Sequence, residues 1–156
     1  MLTASHIEKF TRMEAALARL DPEQDCELWI WTAMNGLTHL LNAAMHQAGL
    51  TKASDSFHSQ VEGLYGVPDR NTGRVADAML PPGDGDVMHL GRPPVPAPLP
   101  AAIQRAGAAL KVIEDLRVPF VRGDQPVPEG ASTRWRSAYA DCREALLSIL
   151  GPMRPQ

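Results

Sequence analysis

The sequence predicts an all-α fold: a four-helix bundle in up-down-up-down order, with a long ordered Pro/Gly-rich segment between the second and third helices. Three observations carry that expectation. Four stretches repeat apolar residues at spacings of three and four, the period of a helix with one buried face. Aromatic residues make up only 5% of the chain, while Ala, Leu and Met are plentiful, a balance that favours helix over strand. The 14 prolines cluster outside the four periodic stretches, where helices must stop. At 156 residues the chain suits one domain with a single core.

The first helix is expected over about 5–20, with Ile7, Phe10, Met13 or Glu14, Leu17 and Leu20 on its buried side. Asp21-Pro22 should end it, because the residue before proline is driven out of the α region. The same dipeptide should open the second helix, about 22–48, with Asp21 as cap and Pro22 at the first position. Ile30, Met34, Leu37, Leu41, Ala44 and Ala48 form its seam, and Gly49 is its C-terminal stop. The short turn between these helices predicts an antiparallel hairpin.

Residues 49–97 lose the periodicity under repeated Pro and Gly, and read as irregular, with short helical turns at 55–64 and 73–80. Their apolar content, including Phe57, Leu64, Tyr65 and Leu90, argues for a segment packed over the helices. A third helix follows over about 100–118, with Ile103, Ala106, Leu110 and Ile113 buried, and ends against Pro119. The fourth, about 133–150, should be capped by Ser132 or Thr133 and bury Trp135, Tyr139, Cys142, Leu146 and Ile149.

Charge excludes little but points away from nucleic acid. The net charge is −3, and the mildly basic region 98–156 interleaves its arginines with acids. No apolar run approaches membrane-spanning length, no secretory h-region stands at the start, and Cys26 and Cys142 are isolated. These features fit a soluble cytoplasmic protein with reduced thiols. No nucleophile elbow, phosphate-binding glycine loop or paired-cysteine metal motif occurs, so no catalytic residue is assigned.

The most suggestive grouping lies on the back of the second helix. At 100° per residue, Asn35, His39, Asn42 and His46 fall in one stripe opposite the seam. A solvated helix face would explain it, yet such faces usually carry Glu and Lys, and this one carries neither. Cover by the middle segment, or a ligand pocket between stripe and segment, would use its amides and imidazoles. His39 and His46 are ~10 Å apart along the axis, too far to share a metal unaided. His58 and Glu62, at i,i+4 if helical, together with Asp84, Asp86 and His89, form a second candidate set suited to a divalent metal.

Function therefore divides into two expectations. The long seam with extra apolar flank residues, and Trp31 as an anchor, suggests a non-enzymatic interaction module that self-associates as a homo-oligomer. The polar stripe suggests instead a small-molecule or divalent-metal binding protein, with no particular cofactor favoured.

Overall fold

The computed structural model describes residues 1–54, 57–58, 64–69, 71–72, 74–79, 98–123 and 125–151. Its helices are α1 (Thr3–Leu17), α2 (Cys26–Gln47), α3 (Ala101–Arg117) and α4 (Ala131–Leu150). The protein is mostly helical, as its periodicity predicts, and α2 packs against all three other helices. Contacts between distant residues show which ends meet. Ser132 at the start of α4 donates to Glu23 just ahead of α2, and Arg143 of α4 pairs with Glu14 of α1. Arg105 of α3 pairs with Glu144 of α4. These pairings are compatible with a four-helix bundle.

The core is built from most of the seams read from the sequence, although Ala48 is exposed beyond the end of α2 and Ile7, Leu20, Tyr139 and Ile149 are half-buried. Phe10, Ile30, Leu37, Ile113, Trp135, Cys142 and Leu146 are fully enclosed. Trp29 stacks on Trp135 at 6.0 Å between ring centres and meets Tyr139 edge-on at the same distance. Burial raises the Tyr139 phenol well above its ordinary value, and the Glu14 charge adds to the shift. The two cysteines are free and buried, and burial likewise raises the Cys26 thiol, which makes it a poor nucleophile.

Four boundaries differ from expectation, the first being that α1 ends at Leu17 with Ala18 as its C-cap, short of residue 20 and of Pro22. α2 begins at Cys26, not Pro22, because the Asp21 side chain closes a separate turn first. Its Oδ1 accepts from the N–H groups of Glu23 and Gln24, and Asp25 Oδ2 accepts from Asp21 N–H. Asp25 then leaves the helical region, at φ −104° and ψ 31°, before α2 starts. α4 begins at Ala131 after Gly130, whose φ of 72° resets the chain direction. The Ser132 hydroxyl is spent on Glu23 and caps nothing. Past Arg117, α3 widens into a π-helical turn, Val118–Arg122, that carries Pro119 instead of stopping before it.

The middle segment is not wholly irregular. Strands β1 (Phe57–His58), β2 (Leu64–Pro68) and β3 (Val75–Met79) form an antiparallel sheet in the order β1-β2-β3. Phe57 pairs with Gly66, and Leu64 with Met79. The short helical turns expected at 55–64 and 73–80 are therefore corrected to strand at residues 57–58, 64 and 75–79, while 55–56, 59–63, 73 and 80 lie outside the described residues. Asp69 starts the connection between β2 and β3, its carboxylate accepting from the N–H groups of Asn71 and Thr72. Among the described residues no helix is long and apolar enough to cross a membrane.

Candidate functional site

The polar back of α2 is not a solvated face. Because α2 has neighbours on several sides, it is enclosed almost all round, and the stripe is enclosed with it. His39 is 3% exposed and Asn42 is equally buried, whereas Asn35 and His46 are half-buried. Asn35 turns its amide onto its own helix, donating to the Trp31 carbonyl at 2.8 Å.

What meets the stripe is α1. Gly36 permits the approach: a Cβ there would stand 3.3 Å from the Met13 Cβ and 3.8 Å from the Phe10 ring. With the two backbones so close, His6 of α1 reaches the stripe and is itself only 1% exposed. Its Nδ1 lies 2.9 Å from the Nδ1 of His39. Its ring centre is 5.1 Å from that of His39 and 5.5 Å from that of His46. The two α2 histidines, too far apart to cooperate by themselves, are thus spanned by a third on another helix.

The end of α2 completes the arrangement. Gly49, at φ 70°, closes the helix with Leu50 N–H donating to the Met45 carbonyl and Gly49 N–H to the His46 carbonyl. That turn brings Thr51 back beside His46, with its hydroxyl 2.7 Å from the imidazole Nδ1.

Chemically, two nitrogens 2.9 Å apart cannot both present lone pairs across an empty gap. Either one donates a proton to the other, or a cation stands between them. At the usual Zn–N length of about 2.0–2.1 Å, nitrogens so placed subtend roughly 90° at the metal. A tetrahedral angle would need them about 0.4 Å further apart. Among the described residues no group of three or more His, Cys, Asp and Glu side chains converges on one metal position.

His6 was not singled out by sequence reasoning. It shares the α1 stripe of Phe10 and Leu17 at helical spacing, so a histidine on an apolar stripe was the available signal. The second candidate set is not assembled by the described residues. His58 lies in β1, not a helix, so the i,i+4 spacing with Glu62 does not apply. Glu62, Asp84, Asp86 and His89 lie outside the described residues. Trp31, expected on an open flank, is half-buried, and the Arg117 guanidinium covers its ring at 5.0 Å.

Comparisons with protein-family models, with curated proteins and with solved structures find no match to this chain.

Proposed function

We propose that the protein binds a divalent transition metal at the His6–His39 pair. The single observation that carries the reading is the 2.9 Å approach of two buried Nδ1 atoms from different helices. Imidazole nitrogens are common ligands for zinc, nickel, copper and iron. Burying two of them between helices costs solvation that an apolar pair would not. Two protein ligands leave coordination positions open, and among the described residues no third His, Cys, Asp or Glu joins them. An open coordination sphere is what a site needs to receive a second ligand.

The test is metal uptake by the intact protein. After dialysis against Zn²⁺ or Co²⁺, elemental analysis should find about one equivalent, and Co²⁺ should give visible bands of nitrogen ligation. His6→Ala and His39→Ala should each weaken binding by more than about tenfold. Metal content in the folded wild type no higher than in the double variant would overturn the proposal.

A second reading, self-association, is favoured by one observation. Leu28 on α2 is 57% exposed beside Phe120 and Val127, in a cleft of about 380 Å³. Light scattering should then give twice the monomer mass, falling to the monomer value in Leu28→Lys. A wild-type monomer at micromolar concentration would remove this reading.

A further inference from the structure

The His6–His39 pair is sealed. His6 is 1% exposed and His39 3%, so nothing in solution reaches them while α1 lies closed on α2. A buried site needs an entry path, and α1 is the element placed to supply it. Among the described residues α2 is its main neighbour, whereas α3 and α4 pack on each other as well as on α2. The attachment of α1 is also uneven along its length. Phe10 is wholly enclosed against Gly36, and Glu14 pairs with Arg143 of α4, so the C-terminal half is pinned. The N-terminal turns are held more weakly. Leu2, at the N-cap, has no side-chain oxygen to offer the first turn, and no acidic residue there complements the helix dipole. Ala4 and Glu8 are exposed, and Leu2 is 41% exposed. The hydrogen bond from Ser54 N–H to the Met1 carbonyl is a long one, at 3.3 Å.

We propose that the first two turns of α1, residues 3–9, are a gate that unwinds up to Phe10 and admits ligands to the buried imidazoles. Opening carries His6 into solvent and uncovers His39 on α2; closing restores their 2.9 Å contact. Segments with few buried contacts open at the lowest cost, and an opening confined to two turns leaves the Phe10 anchor and the core beyond it intact. As the way in for a metal ion, the gate rests on the metal reading above. The opening itself does not, and is measured without metal.

In the metal-free full chain, the amides of residues 6–9 should exchange with solvent at least about tenfold faster than those of Met34, Leu37 and Leu41 in α2. Leu2→Asp supplies the missing cap and should slow that exchange about fivefold. Glu8→Gly weakens the second turn and should speed it about fivefold. Ala15→Gly, also exposed but beyond Phe10, should leave it unchanged. The rate at which diethyl pyrocarbonate modifies His6 should follow the same order, and so should the rate of Co²⁺ uptake. Exchange at residues 6–9 as slow as in α2, or equal effects of Glu8→Gly and Ala15→Gly, would overturn the gate. Co²⁺ uptake at one rate in wild type, Leu2→Asp and Glu8→Gly would overturn it as the route to the site. Co²⁺ that never binds the wild type removes the metal reading instead, and the exchange and modification rates still decide the gate.

Discussion

Replacing Trp135 with alanine is expected to lower the unfolding free energy by about 3–5 kcal/mol, the range for removing a fully buried large aromatic side chain. Trp135 is wholly enclosed and stacks on Trp29, which also contacts Tyr139, so one residue ties the start of α4 to the start of α2. Domains of this size are stable by only about 5–15 kcal/mol, so the variant would lose a large share of the total. The buried indole N–H makes no hydrogen bond, so the loss is one of packing. Trp135→Phe should accordingly cost much less than Trp135→Ala. Chemical denaturation of the three proteins, with unchanged m-values, measures both differences.

Gly36→Leu should destabilise the protein by about 1–3 kcal/mol and abolish metal uptake without altering any histidine. The hydrogen of Gly36 faces α1, and even a methyl would stand 3.3 Å from the Met13 Cβ. A leucine there must push α1 away, and His6 moves with it. Gly36→Ala is the control. Its tight contact is offset by a helix-propensity gain of about 1 kcal/mol, so stability should change little and metal should still bind. Elemental analysis of both variants, alongside circular dichroism to confirm folding, distinguishes displacement of α1 from general unfolding. Retained metal in folded Gly36→Leu would separate the site from the α1–α2 approach.

The helices were legible because apolar period and burial are the same fact seen twice. Ile30, Met34, Leu37, Leu41 and Ala44 recur at helical spacing because that face of α2 is in the core. The strands were not legible for the converse reason. Leu64-Tyr65-Gly66-Val67-Pro68 contains two residues that strands disfavour, and Val75-Ala76-Asp77-Ala78-Met79 is locally more helix-like than strand-like. Their pairing is a tertiary contact that local propensity does not report.

The candidate site was half legible. His39, Asn42 and His46 stood out as uncharged polar groups where Glu and Lys would be expected. Their burial depends on which helix covers that face, and periodicity within α2 carries no information on its partner. His6 was hidden because a histidine at a helical core position counts for neither side of an amphipathic pattern. Gly36 was the missed cue to the partner, since a glycine within a long helix often marks a close backbone approach.

The most direct test of the histidine site is long-range ¹H–¹⁵N correlation of the imidazole rings before and after one equivalent of Zn²⁺. Of the five histidines, His6 and His39 should show coupled Nδ1 signals in the metal-free protein, as one proton shared across 2.9 Å requires. On adding Zn²⁺ both Nδ1 resonances should shift together, and the bridging proton should disappear. Unmoved His6 and His39 resonances in a folded protein, with Zn²⁺ taken up by other histidines or not at all, would contradict it.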